Sequence, residues 1–288
     1  MANIKDLKKK IKSTKGTFKI TRAMKLVSAS KLNKAQVRIL GLRPYSSELE
    51  ETVRTVSALA ADYKNEYFTQ KENNKAVVLV ISSDKGLCGG YNSTLAKTIR
   101  RFTAENDEDL KFVFIGKKVR DLIIKEVNAG QTFTFAKAEP TYEEVRKLAD
   151  ELGTLFTSGE VGKIYIAYNS FISAIAFESR VRQILPMQVS ASDIKEIKSK
   201  YPYDFKYEPS AEQILDTLVP EVYLTSVYTC VLDAIASEHG SRMNAMENAS
   251  KNSKEVIKKL SLKMNKMRQA RITTELIEVV SGAESLNG

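Results

Sequence analysis

The chain has 288 residues, of which 43% are hydrophobic and 28% charged, with a formal net charge of +10. That length and hydrophobic content support a sizeable core in one or two domains, and exclude an intrinsically disordered chain. A single histidine, His239, excludes a two-histidine zinc motif, and Cys88 and Cys230 lack any metal spacing, so both read as reduced structural thiols.

In chain order, the first segment is basic and helical. Apolar residues at Ile4, Leu7, Ile11, Phe18, Ile20, Ala23, Met24 and Val27 recur at spacings of three and four, giving a thin apolar stripe. Leu, Lys, Ala, Met and Gln are good helix formers, and small residues such as Ser28, Ala29, Ser30 and Ala35 suit close helix–helix approach. Gly41 and Pro44 predict a bend, with Ser46 or Ser47 capping the helix that resumes. The start lacks the apolar core of a secretory signal and reads as mature structure rather than as a transit peptide.

The middle changes character. "KAVVLVISS" from Lys75 is a continuous β-branched run, as in a buried parallel strand, and residues 111–116 and 163–171 repeat the style. Amphipathic helical stretches lie between them at residues 91–105, 117–127 and 142–156. Residues 177–186 read as a further strand, antiparallel at an edge. This alternation predicts an α/β sheet domain over residues 75–200, followed by a polar connector at 199–213. Beyond Pro220, apolar residues from Leu224 through Met267 to Thr274 fall near a heptad seam. A helix of roughly 60 residues would be ~90 Å long, more than a sheet domain of this size can cover. The expected fold is therefore α/β, with a long antiparallel coiled coil of the N- and C-terminal helices (residues 1–58 and 210–288) around an inserted Rossmann-like domain.

Charge is unevenly spread. Residues 1–43 carry net +12 and residues 251–271 net +7, leaving the remainder at net −9. Two basic ends call for an acidic partner, either nucleic acid or an acidic protein surface.

No catalytic constellation emerges. "SSDKGLCGGYNSTLAK" (residues 82–97) has the strand–loop–helix setting of a phosphate loop. Its glycines, Gly86, Gly89 and Gly90, match neither phosphate-loop fingerprint, so a tight turn capped by Asn92 or Ser93 is expected. Cys88 has no histidine near it in sequence to act as a base, and acidic runs such as 143–144 and 107–109 read as solvated surface. No cofactor or metal site is expected. A basic helical nucleic-acid binder is an alternative, though Phe18 is the sole aromatic in the basic segments.

Five segments carry a resemblance: "KITRAMKLVSASKLNKAQ" (19–36), "SSDKGLCGGYN" (82–92), "YEPSAEQILDTLVP" (207–220), "ASEHGSRMNAMENAS" (236–250) and "NKMRQARITTELIEVVSGA" (265–283). In this order they resemble the gamma-subunit family of the F-type ATP synthase, along the whole chain. The resemblance implies a non-catalytic central rotor with no cofactor. Its partners would be the alpha and beta subunits of the catalytic hexamer, the epsilon subunit and the c-subunit ring, not nucleic acid. It also implies a peripheral place on the cytoplasmic face of the bacterial inner membrane. By position, Met24, Lys25, Arg268, Gln269 and Thr273 would contact beta, Arg242 would couple along the rod, and Tyr207 and Glu208 would lie at the foot near epsilon and the c ring. Arg271 departs from the family's smaller residue and adds a charge beside Gln269 and Thr273.

Overall fold

The computed structural model describes residues 4–60, 63–135, 139–188, 191–201, 203 and 205–287. They divide into two compact units, residues 1–28 with 242–288, and residues 29–241. Two long helices, α1 (Ile4–Leu59) and α6 (Ala211–Asn287), contribute to both.

The second unit is built on a five-stranded sheet. Its strands are β1 (Lys75–Ile81), β2 (Asp109–Ile115), β3 (Asn128–Phe133), β4 (Lys163–Ser173) and β5 (Ala176–Leu185), in the spatial order β3-β2-β1-β4-β5. The first four are parallel, and β5 runs antiparallel to β4 at the edge. β1 is buried on both faces, as its unbroken β-branched run demands. One face packs on α2 (Tyr91–Glu105) and α3 (Lys118–Ile123), through Leu95, Ile99, Val119 and Ile123. The other packs on α4 (Tyr142–Thr157) and on α6, through Leu148, Phe156, Tyr223, Val227 and Val231. Thr141 and Glu144 form a reciprocal cap at the start of α4, so one carboxylate of the acidic run has a structural task. A third apolar cluster joins Leu49, Val53 and Val56 of α1 to Leu215, Val219 and Val222 of α6.

Several expectations need correction. The break expected at Gly41 and Pro44 is not there, since α1 is helical through both. Pro44 lies on the exposed side of α1, while Ser46 and Leu49 on the opposite side are buried, so packing keeps the helix continuous despite the lost backbone bond. Ser46 is accordingly a buried helical residue rather than a cap. β3 was missed because "NAGQTF" is half-buried and lacks an apolar run. The helix expected over 117–127 ends at Ile123, and α5 (Ala191–Lys200) precedes the connector. Finally, α6 begins nine residues before Pro220 and passes through it.

One stretch of α6 is long and apolar enough to cross a membrane by composition alone, but 67% of it is buried inside the protein. Residues 222–227 and 230–234 are buried around the whole helix, wedged between the sheet domain and α1, which accounts for their hydropathy.

Candidate functional site

A doubly wound sheet binds ligands in the crevice where strand order reverses, here beyond the carboxyl ends of β1 and β4. That crevice is filled by the chain's own α6. Asn169 of β4 is fully buried; its Nδ2 donates to the Tyr91 carbonyl (3.1 Å), and the Ser237 hydroxyl donates to its carbonyl (2.9 Å). The Tyr91 hydroxyl donates to the Ala234 carbonyl at 3.0 Å, and Ser241 Oγ donates to the Cys88 carbonyl at 2.6 Å. Gly240 lets the β4–β5 hairpin approach, because a Cβ there would stand 3.0 Å from the Ala174 carbonyl oxygen.

The glycine-rich loop is thus a docking turn for α6. Its capping differs from expectation: the cap residue of α2 is Gly90, without a side-chain bond. Asn92 instead turns back to Ser83 Oγ (2.8 Å) and Cys88 Sγ (3.1 Å), while Ser93 and Thr94 hydroxyls donate to the Gly90 carbonyl. Leu87 holds a left-handed backbone conformation (φ 62°) with its side chain exposed. Both thiols are free and buried, and burial pushes Cys230 up to about 12, so its thiolate is suppressed at neutral pH.

A second polar cluster ties α1 to α6 within the same unit. Arg43 donates to Asp233 Oδ1 and to the Phe171 carbonyl, both at 3.0 Å, and Ser170 Oγ lies 3.3 Å from Asp233 Oδ2. Burial raises the Asp233 carboxyl above its usual range, against the pull of Arg43. Nearby, Glu50 accepts from Ser226 (2.7 Å) and Arg182 (3.3 Å).

In the unit formed by the chain ends, the sequence and the structure part ways. A strict heptad of buried and half-buried residues runs along this part of α1: Leu7, Ile11, Thr14, Phe18, Thr21, Lys25, Ser28. Thr21 and Ser28 are 7% and 3% exposed, whereas Ile20, Leu26 and Val27 are 62%, 63% and 57% exposed. Ile20 and Val27, read as part of the stripe, point outward, whereas Leu7 and Ile11 are buried as expected; Thr21 and Ser28 add polar residues to the seam. Thr21 Oγ1 and Ser250 Oγ share a buried hydrogen bond of 2.8 Å. Lys25 Nζ lies 2.5 Å from Glu247 Oε2 and draws that carboxyl below its ordinary range, with Lys251 adding a longer contact of 3.6 Å. On α6 the stripe continues through Met246, Ser250, Ser253, Ile257, Leu260, Met264 and Met267, after which residues 268–283 are all exposed.

The proposed site residues fall as follows. Met24 is half-buried, and Lys25 is engaged by Glu247. Arg242 is 8% exposed. Arg268, Gln269 and Thr273 are exposed; the Thr273 hydroxyl donates to the Gln269 carbonyl (3.0 Å), and Arg271 pairs with Glu275 (2.7 Å). Tyr207 packs against the α1–α6 apolar cluster and near the Phe205 ring, while Glu208 is exposed. Glu247, Thr21 and Ser250 were missed; counting a 3.5-residue period strictly from Leu7 would have found Thr21 and Lys25.

Fold and surface define the class: an α/β sheet domain whose ligand crevice holds its own helix, joined to long helices with exposed aliphatic and basic residues. A family model described as ATP synthase matches residues 3–286. The ATP synthase gamma chain of Anaeromyxobacter sp. (strain Fw109-5) is 41% identical over 295 aligned positions, covering 99% of this chain and all of the relative. That of Bdellovibrio bacteriovorus is 38% identical over 296 positions, covering both chains completely. Among solved structures, a chain of the Euglena gracilis mitochondrial ATP synthase (OSCP/F1/c-ring, rotational state 3) shares the fold, with a TM-score of 0.70 at 18% identity over 98% of this chain and 94% of the other. A chain of the Tetrahymena thermophila mitochondrial central stalk and c-ring structure gives 0.61 at 24% identity over 80% and 99%.

The chain belongs to the ATP synthase gamma chain family, and with it to the non-catalytic central-stalk subunits of that complex.

Proposed function

We propose that this chain is the rotating shaft of a bacterial ATP synthase, joining a c-subunit ring to a hexamer of alpha and beta subunits, with epsilon beside it. In this reading the terminal segments, residues 1–58 and 210–288, form the shaft, and residues 75–200 form the domain facing epsilon and the ring. The complex works at the cytoplasmic face of the inner membrane. The nucleic-acid reading is not retained, because membership of this family accounts for the basic helices without it.

One observation carries the proposal: the terminal unit leaves a long series of aliphatic residues outside its seam, while Thr21, Ser28, Ser250 and Ser253 are buried within it. Ile20, Leu26 and Val27, and Leu262, Ile272, Leu276, Ile277, Val279 and Val280, are all exposed. Aliphatic surface on that scale is stable in water only when a partner covers it. Interspersed Lys and Arg give that surface a charge complementary to an acidic sleeve. Turning requires contacts that release. Exposed ion pairs contribute ~0–1 kcal/mol each and exchange readily. Each shaft angle would stabilise a different conformation of a beta subunit, which is differential binding.

Met24, Arg268, Gln269 and Thr273 are proposed as beta contacts, Arg242 as a residue that transmits strain along α6, and Tyr207 and Glu208 as foot residues. Lys25 has a modified role. With Glu247 at 2.5 Å it clasps the two helices, so its charge reaches beta only as part of a pair. Native mass spectrometry of the assembled complex tests the shaft reading. One copy of this chain per three alpha and three beta subunits is expected, and any other ratio overturns it.

A further inference from the structure

We infer that Asn169, Tyr91 and Ser237 are positioning residues: they close a hydrogen-bonded ring that fixes the angle of α6 about its own axis against the sheet, and twist passes between the sheet domain and the helix at that ring. The source of the twist rests on the shaft reading; the ring lies wholly within residues 29–241 and does not.

Three bonds between three elements make the ring. Asn169 Nδ2, on β4, donates to the Tyr91 carbonyl at the start of α2 (3.1 Å). The Tyr91 hydroxyl crosses to the Ala234 carbonyl of α6 (3.0 Å). One helical turn further on, the Ser237 hydroxyl returns to the Asn169 carbonyl (2.9 Å). Asn169 Oδ1 accepts from Ser179 of β5, so both ends of its amide are held by neighbouring elements. Asn169, Tyr91, Ala234 and Ser237 are all fully or almost fully buried. Water is therefore shut out of a circuit whose bonds are stronger for the low dielectric around them.

Elsewhere α6 lies on this sheet through Leu224, Val227 and Val231, and such apolar contact has no preferred direction. The Tyr223 hydroxyl does make a directed bond, but to the Ala149 carbonyl of α4 rather than to the sheet. Directed bonds to the sheet gather at one level. Beside the ring, Ser170 bonds Asp233, and Arg43 of α1 donates to the Phe171 carbonyl. Residues 169–171 of β4 thus hold both long helices. Ser241, one turn beyond Ser237, adds a bond to the Cys88 carbonyl, and α6 then continues unbroken beyond this unit. The ring stands where the helix leaves the sheet domain, and close packing around it transmits strain rather than absorbing it.

Two measurements on the double variant Tyr91→Phe with Ser237→Ala test the inference; each change removes one hydroxyl and little volume. Val119→Ala is the control, because it removes core methyl groups on the sheet face away from α6. In the purified chain, amide exchange over residues 237–241 should quicken about 10-fold in the double variant while residues 222–231 stay unchanged. Equal quickening of both stretches overturns the ring. The second measurement uses the complex with cysteine-free alpha and beta subunits, its hexamer fixed to a surface and halted by a non-hydrolysable ATP analogue. A probe is attached at Lys97→Cys, an exposed position on α2, since Cys88 and Cys230 are buried. Angular variance falls as torsional stiffness rises, so the double variant should widen the probe's variance about 2-fold. Val119→Ala should lower the urea midpoint and leave the variance as it was. Unchanged variance in the double variant, or an equal rise in Val119→Ala, overturns the torsional role. Failure of the shaft reading shows separately, as a parent complex without one copy of this chain per hexamer.

Discussion

The two units of this chain differ in how far polar residues enter their interiors. Residues 29–241 close around Val78, Leu79, Ile99, Ile166 and Leu215, each fully buried. The unit of the chain ends buries Leu7, Ile11 and Met246 together with Thr21, Ser28, Ser250 and Ser253, with Lys25 and Glu247 paired at its side. A sheet domain is stabilised by apolar area withdrawn from water, at roughly 25 cal/mol per Å². Where the two-helix seam is filled by small hydroxyl residues it gains less from that effect; it gains close helix approach and hydrogen bonds that fix register. The first unit carries its own apolar core, and the second leaves a series of aliphatic residues exposed.

This contrast can be broken by substitution. Leu79→Ala should have the largest effect, costing about 2–5 kcal/mol in urea unfolding, because the central strand cannot relax into the cavity. A cost under 1 kcal/mol would mean that the sheet core does not dominate stability. Arg43→Ala should come next, at about 2 kcal/mol, since it strands the Asp233 carboxylate, which is 7% exposed. Asp233→Asn in that background should return part of the loss.

Within the helical seam the costs should be smaller and should cancel. Thr21→Val takes its partner from the buried Ser250 hydroxyl and should cost about 1 kcal/mol, whereas Ser250→Ala leaves Thr21 its bond to the Phe18 carbonyl (3.1 Å) and should cost less. The double variant should be close to neutral; additive losses would show that the two hydroxyls do not act as a pair. Smallest in stability is Lys25→Glu, since the pair it breaks lies at the surface. Its coupling effect should be reversed by adding Glu247→Lys, measured as ATP formed per proton moved. Failure of that rescue would return Lys25 to direct contact with beta.

The two units should also differ in pH dependence. The Glu247 carboxyl lies below its ordinary value in the fold, so the clasp is intact above about pH 5 and its contribution is lost as pH falls through the lowered value. Asp233 lies above its ordinary value, so charging it as pH rises from about 4 removes stability from the sheet unit. Exchange protection near Thr21 and near Val231 should therefore move in opposite directions across the acid range, and movement in the same direction would contradict this assignment.

Most of the sheet was legible because its signal is local. β1, β2, β4 and β5 are compact apolar or alternating runs, and α2 and α4 lie within a residue of their expected limits. β3 and α5 were not legible, since neither carries enough apolar residues to be recognised before its neighbours are in place. Of the candidate site, Met24, Lys25, Arg268, Gln269 and Thr273 are proposed through resemblance alone. The partner of Lys25 was not, because Glu247 is 222 positions away in sequence.

By itself the sequence determined an α/β domain between two basic terminal helices, since hydrophobic period and charge are properties of contiguous residues. Only the tertiary structure decided which stripe of α1 is buried. Periodicity favoured Ile20 and Val27, whereas packing chose Thr21 and Ser28, because small hydroxyl residues allow close approach and pair with Ser250. It likewise filled the ligand crevice of the sheet with α6. Which surface is core and which is interface depends on what lies opposite, and that is not written in either strand of the comparison alone.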